Sequence, residues 1–154
     1  MSFSPLYGFN LETDTINNIK ISSATARGKI VEVNASTGTA AVGNEYGYFT
    51  LEEVTSDGPS YEERIAGLRQ WEVIVDSPVA LLIPKNGAIV RTSHVAVSDG
   101  SAVLSCTLVI SAGVFCTEAD IGTSDMRGII VGTPTETGID GVYDIKIVNA
   151  NGRA

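Results

Sequence analysis

Short β-prone runs, separated by clusters of Gly, Pro, Asn, Asp and Ser, recur along the whole chain. Gly28–Asn34 illustrates the pattern, with Ile30 and Val31 on opposite faces, because successive side chains of a strand point to opposite sides. Many short strands with regularly spaced turn signals are typical of antiparallel sandwiches and barrels. The sequence therefore predicts a mainly β fold, an antiparallel β-sandwich or barrel.

The turn residues bound the predicted strands. The opening, Met1–Thr15, is expected to be irregular, and turns are expected at Pro84–Gly87 and at Asp99-Gly100. Outside residues 46–76, the predicted strands are Ile16–Ser22, Gly28–Asn34, Thr39–Val42, Val79–Ile83, Ala88–Val97, Ala102–Ser111, Gly113–Cys116, Gly128–Gly132 and Val142–Asn149.

Helical signals are few. Ser60 and Glu63 have the spacing of a capping box, and Arg64–Leu68 could add one or two turns. Thr117–Met126 is a second candidate, although Gly122 in its middle disfavours a long helix. The sequence predicts at most one or two short helices.

The segment from Tyr46 to Asp76 is predicted to be a long hairpin. Two extended arms, Tyr46–Thr55 and Leu68–Asp76, flank a polar connector centred on Ser56–Pro59, where Gly and Pro favour a turn. A hairpin that cannot bury both faces within one subunit needs a neighbour to complete its sheet. We therefore expect an assembly arm.

Alternation along the second arm assigns its faces. Arg69, Trp71 and Val73 share one face, which we expect to be buried with Arg69 at its rim. The expected hairpin core is Leu68, Trp71 and Val73.

Acids are concentrated in the same segment. They could form a solvated charged loop, a pair of catalytic carboxylates or a negatively charged inner surface, although the aromatics of a sugar cleft are lacking. Turn chemistry accounts better for the other acid pairs than a Ca²⁺ site does. The candidate assembly or lumen residues are Glu52, Glu53, Asp57, Glu62 and Glu63.

Composition limits the class of protein. The 154 residues suit a single domain covering positions 1–154, and 44% hydrophobic residues argue against disorder. Only 18% of residues are charged, which fits either a polar uncharged surface or a surface buried against partners. The net charge of −8 argues against a phosphate-binding face. The longest apolar runs are too short to span a bilayer, so no membrane partner is expected.

Residues for catalysis are scarce. The single histidine, His94, has no Gly-x-Ser-x-Gly nucleophile motif to serve, and we expect it to be solvent-facing or a hydrogen-bonded structural residue. Cys106 and Cys116 have no neighbouring Lys or Arg and are expected to be buried apolar residues. No secretory leader opens the chain, which favours a reducing cytosol. We expect no enzyme activity, metal or cofactor.

Residues 53–75 contain three successive segments: Glu53-Val54-Thr55, the acidic loop Ser56–Arg64 and the phrase Gly67-Leu68-Arg69-Gln70-Trp71. Together they resemble the major tail tube proteins of tailed bacteriophages. Gly138–Tyr143, leading into a last strand Asp144–Val148, also looks similar. The resemblance covers about a quarter of the chain by motif.

The resemblance implies a β-sandwich subunit that forms hexameric rings stacked into a hollow tube. In that family the hairpin joins its neighbours into a barrel that lines the lumen, and an acidic wall lets DNA pass without binding. The expected partners are further copies of the chain, other virion proteins and DNA in transit. The expected location is the virion, after synthesis in the host cytoplasm.

Two segments depart from the family pattern. Gly28–Gly43 adds a β-prone stretch, and Pro78–Gly113 is unusually apolar. Both fit a capsid decoration (cement) protein, which is the alternative interpretation. A small β-barrel hydrolase or carbohydrate-binding module is a third possibility, disfavoured by 6% aromatic residues and a single Trp.

Overall fold

The computed structural model describes residues 3–44, 46–70, 72–97, 102–117 and 126–150. These ranges form a mainly β structure with several antiparallel sheets, a small closed barrel and two short helices, so the predicted fold class is confirmed. The strands and helices, in chain order, are β1 Phe3–Tyr7, β2 Thr15–Ile21, β3 Ile30–Asn34, β4 Thr39–Val42, β5 Tyr48–Thr50, β6 Glu53–Thr55, α1 Tyr61–Ile65, β7 Glu72–Ile74, β8 Pro78–Leu82, β9 Ile89–Thr92, β10 Val95–Ala96, β11 Thr107–Ser111, β12 Val114–Thr117, β13 Arg127–Gly132, α2 Pro134–Thr137 and β14 Tyr143–Val148.

A seven-stranded sheet forms one layer of the molecule. Its strand order is β1-β9-β14-β13-β11-β12-β10, and every neighbouring pair is antiparallel except β10 with β12. Strand β1 corrects the expectation that Met1–Thr15 is irregular. It pairs with β9 from Phe3 opposite Thr92, and Phe3 is only 2% exposed. Packing of that one side chain into the core outweighs a weak local strand signal.

A closed five-stranded barrel, β2-β4-β3-β5-β8, forms the second layer. Closure removes the free edges that short strands would otherwise expose. A separate apolar cluster accompanies this barrel, and residues of β2, β3 and β8 contribute most of it. Its buried members are Ile21, Val31, Ala40, Val54, Val79 and Leu81.

The main core lies where the barrel meets the seven-stranded sheet. Neighbouring residues of one barrel strand divide between the two clusters: Leu81 belongs to the barrel cluster and Leu82 to the main core. The backbones also meet, because the Ile30 amide donates to the Gly113 carbonyl at 2.9 Å and the Gly113 amide to the Gly43 carbonyl at 2.9 Å. The layers are therefore joined by side chains and by main-chain hydrogen bonds.

The predicted hairpin is wrong. Strands β6 and β7 pair in parallel, with Glu53 opposite Glu72 and Thr55 opposite Ile74. Antiparallel strands can be joined by a tight turn, whereas a parallel pair needs a crossover of about a dozen residues or more. The long acidic connector, with α1 inside it, supplies that crossover. The earlier strand β5 pairs instead with β3 and β8 of the barrel.

Other predicted elements are shorter than expected. Ala88–Val97 divides into β9 and β10, and only Thr107–Ser111 of Ala102–Ser111 is a strand. The turn at Asp99-Gly100 and most of the helix candidate Thr117–Met126 lie outside the described residues.

Candidate functional site

The connection between β6 and β7, here called the crossover segment (residues 56–70), carries four of the eight predicted site residues. Its helix begins with the predicted capping box: the Glu63 amide donates to Ser60 Oγ at 3.1 Å, and the Ser60 amide donates to Glu63 Oε1 at 3.1 Å. It ends at Ile65 with Ala66 as its C-cap. Gly67 follows with a φ of +73°, which suits glycine, and the Leu68 amide donates to the Glu63 carbonyl at 2.8 Å. Both ends of a very short helix are thus satisfied locally.

Arg69 binds the acids of the crossover segment. Its guanidinium donates to Asp57 Oδ1 at 3.0 Å, to the Gly58 carbonyl at 2.7 Å and to Glu63 Oε1 at 3.4 Å, and it also forms an ion pair with Glu72. The planar guanidinium offers five N–H donors, so one side chain can serve several acceptors. We had expected Arg69 only at the rim of a buried face; it is instead the centre of a network.

The pKa values in this network shift as the contacts require. Hydrogen bonding from Arg69 lowers the pKa of Asp57. The pKa of Glu63 is lowered mainly by the hydrogen bond from the Ser60 amide and, to a smaller extent, by Arg69. Hydrogen bonds to Glu72 and Asp57 raise the pKa of Arg69. Asp57 and Glu63 therefore stay ionised, and the positive charge of Arg69 beside them offsets part of their negative charge.

Glu52 and Glu53 lie outside this network, beside the barrel. Glu53 Oε2 accepts a hydrogen bond from the Arg27 amide at 2.7 Å. One oxygen of Glu52, Oε2, is buried and has no hydrogen-bond partner among the described residues, and burial raises the pKa of this carboxyl group. Of the five predicted acids, only Glu62 is exposed without an ion pair or a hydrogen bond of its side chain in the described ranges.

The expected hairpin core is only partly realised. Leu68 is 57% exposed, so its assignment to a core is wrong; it lies two residues beyond the helix C-cap Ala66. Val73 on β7 is half-buried against the barrel cluster. Trp71 lies outside the described residues.

Sequence reasoning missed an exposed apolar surface on α1. No residue of this helix is buried, and Tyr61 and Ile65 are 77% and 70% exposed. Residues four apart on a helix lie on the same face, so this spacing was a signal available in the sequence. Tyr61, Ile65 and Leu68 are called the crossover patch below.

Two further apolar patches lie elsewhere on the surface. The N-terminal patch, Leu6, Tyr7 and Leu11, lines a groove beside strand β1, and its members are 46–69% exposed. The loop patch, Val103 and Leu104, is more than half exposed and lines a second groove together with α2. The three patches share no residue.

The histidine and the two cysteines considered for catalysis are buried or half-buried. His94 is 2% exposed, and its Nε2 donates to the Arg27 carbonyl at 2.7 Å, which agrees with the hydrogen-bonded structural role expected for it. Cys116 is buried and Cys106 half-buried, both as free thiols. Over the described ranges, no group of three or more His, Cys, Asp or Glu could hold a metal ion.

Comparison of the chain with protein-family models and with curated proteins finds no match. Among the described residues, no helix is both long and apolar enough to cross a membrane.

We expect Arg69→Lys to lower the unfolding temperature measurably at low salt. Lysine keeps the positive charge but lacks the planar fork that reaches Asp57, Glu63 and Glu72 together. Added salt should reduce the difference, since surface ion pairs are screened. Arg64→Lys is the matched control, because Arg64 is exposed and outside the network. Equal thermal shifts in both variants would contradict the assignment of Arg69 as the centre of the network.

Proposed function

We propose that the protein is a structural subunit of a phage virion, and more specifically a head decoration protein that binds neighbouring capsid subunits. The observation that carries this proposal is the presence of three separate exposed apolar patches on a small β protein. Contiguous exposed apolar surface commonly marks sites of protein interaction. A subunit that holds several neighbours together needs several such surfaces, whereas a protein with one partner needs one.

The crossover segment favours the decoration role over the tail tube role. The tail tube role rested on a hairpin arm reaching into a neighbouring subunit. Strands β6 and β7 instead pair in parallel, and Arg69 binds Asp57 and Glu72 at the two ends of the connector. A compact surface of this kind suits docking on a shell better than completing a neighbour's barrel.

The tail tube subunit remains the second candidate because the seven-stranded sheet is open. Within the described ranges β1 pairs with β9 on one side only, so its other side could pair with a strand of another copy, and such pairing, repeated around an axis, would build a ring. In that role the exposed Asp57 and Glu62 could face the lumen and repel DNA in transit.

Electron microscopy of the purified protein distinguishes the two roles. For the decoration role, we expect no rings or tubes at high concentration, and we expect added protein to bind heads assembled from the capsid protein of the same virion. Leu11→Ser, in the N-terminal patch, should weaken binding to heads several-fold. Ile139→Ser is the control, because Ile139 is 46% exposed outside the three patches.

Rings or tubes with a central hole would favour the tail tube role over the decoration role. Protein that neither polymerises nor sediments with heads would contradict both virion roles.

A further inference from the structure

We propose that two copies of this chain associate through α1, with the two helices parallel and related by a two-fold axis that runs along them. The occupant of the crossover patch is thus a second copy of the chain. The inference concerns the isolated protein and does not depend on binding to a capsid.

The side chains of α1 form an exposed apolar ridge with a charge on each flank. An α-helix turns by about 100° per residue, so Tyr61 and Ile65 lie close together on one face. On this spacing, Glu62 lies on one flank of the ridge and Arg64 on the other. Glu63 lies behind it, where it is half-buried and bound to Ser60 and Arg69.

Charge complementarity selects a parallel pair of helices. When two copies of α1 face each other in parallel about a two-fold axis, the flank carrying Glu62 meets the partner's flank carrying Arg64, and the same contact forms on the other side. An antiparallel arrangement would bring Glu62 against Glu62 and Arg64 against Arg64. Like charges placed face to face destabilise a contact.

The surroundings of the two charges leave them available to a partner. Glu62 and Arg64 are exposed, and neither side chain forms an ion pair within the described ranges. Asp57 and Glu63, the other acids of the crossover segment, are already held by Arg69. The ridge is therefore flanked by one free acid and one free base, a balance that fits a second copy better than a strongly basic partner.

The size of the surface predicts a weak association. A stable protein interface usually involves about 20–30 residues on each side, whereas a five-residue helix with Leu68 supplies far fewer. The net charge of −8 on each copy also opposes pairing. We therefore expect a monomer at micromolar concentration and a growing fraction of dimer towards millimolar concentration.

A charge-swap series measured by sedimentation equilibrium tests the pairing. Glu62→Arg and Arg64→Glu should each weaken dimerisation by roughly tenfold, because both symmetry-related contacts become repulsive. The double variant Glu62→Arg/Arg64→Glu should recover the wild-type dissociation constant to within about threefold, since the opposite charges again face each other. Ile65→Asp should remove the dimer. All three positions are exposed, so thermal unfolding of each of the four variants should remain near that of the wild type.

Cysteine cross-linking tests the direction of the helices. Under mild oxidation at millimolar concentration, Ile65→Cys should form a disulfide between copies, because a parallel pair places each Ile65 beside its equivalent. A mixture of Tyr61→Cys and Ile65→Cys chains should cross-link less well with each other than Ile65→Cys does with itself. Gln70→Cys, exposed beyond the helix, is the control for random collision, and the wild type controls for Cys106 and Cys116.

Three outcomes would overturn the proposal. One is a wild-type chain that stays monomeric at millimolar concentration, and another is a double charge swap that does not recover what the single variants lose. The third is preferred cross-linking between Tyr61→Cys and Ile65→Cys, which would show antiparallel helices. None of these results depends on whether the protein binds phage heads, so the proposed function can fail or succeed separately.

Discussion

Replacing Phe49 with alanine should lower the free energy of unfolding by about 3–5 kcal/mol, the range typical of a fully buried phenylalanine. Phe49 is 0% exposed, and its ring centroid lies 5.2 Å from that of Phe3 and 6.3 Å from that of Phe115. The variant would lose these ring contacts and leave a cavity that rigid neighbouring strands cannot fill. Urea unfolding followed by circular dichroism measures the loss.

Phe49 also links the two layers, which makes its effect larger than that of a residue within one layer. Its strand, β5, is hydrogen-bonded in the barrel, while its side chain belongs to the main core shared with the seven-stranded sheet. We expect wild type and variant to unfold in one transition. Tyr61→Ala is the matched control, because this aromatic residue is 77% exposed and should cost less than about 0.5 kcal/mol. A loss below 1 kcal/mol for Phe49→Ala would contradict the shared core.

The sequence predicted the fold class and many strand positions because both depend on local pattern. Strand β4 has the predicted bounds, Thr39–Val42, and β2 lies within one residue of the predicted Ile16–Ser22 at each end. Alternating apolar residues between turn formers carry that information in a short window. The capping box at Ser60 was readable for the same reason, since all its partners lie within four residues.

Pairing between strands could not be read in this way. The predicted arms Tyr46–Thr55 and Leu68–Asp76 do contain strands, but the first arm is divided between β5 of the barrel and β6. Nothing local distinguishes a hairpin from a parallel crossover. The relative direction of the two strands depends on hydrogen bonds to distant parts of the chain. The Thr25 amide donates to the Val54 carbonyl, and the Asp76 amide donates to the Ile21 carbonyl. Both contacts join residues more than twenty positions apart. Tertiary contacts thus decided what local propensity left open.

The candidate site shows the same limit. Acids spread over residues 52–63 suggested one charged surface, yet the structure separates Glu52 and Glu53 from the acids bound to Arg69. Arg69 reaches its partners from a backbone φ of +54°, a conformation that non-glycine residues adopt rarely. The sequence gives no sign of that conformation, so it could not show which acids Arg69 would bind.

Acidification should destabilise the protein through His94. The unfolded chain takes up a proton near the ordinary pKa of 6.5, whereas burial lowers the pKa of His94 in the folded state. Between these two pKa values the unfolded state binds more protons, so the free energy of unfolding falls as the pH falls below 6.5. The slope can reach at most about 1.4 kcal/mol per pH unit for one proton.

The geometry around His94 gives the reason. A carbonyl oxygen can only accept, so the hydrogen bond to Arg27 fixes the proton on Nε2 and leaves Nδ1 bare. Nδ1 is buried and has no partner among the described residues, and protonation would place an unsatisfied N–H in the interior. The hydrogen bond to the Arg27 carbonyl and the charge of Glu53 favour the protonated ring, while the charge of Lys29 opposes it. Burial outweighs the favourable contributions.

Urea unfolding measured from neutral to mildly acidic pH tests this prediction. His94→Gln keeps an N–H donor that can reach towards the Arg27 carbonyl but cannot titrate, so its pH slope just below 6.5 should be smaller than that of the wild type. Glu52→Gln is the second control: burial raises the pKa of Glu52 above 4.5, so this carboxyl group makes the folded state gain stability as the pH falls. Removing this carboxyl group should therefore make the free energy of unfolding fall more steeply with decreasing pH than it does in the wild type. A slope unchanged by His94→Gln would show that another group causes the pH dependence.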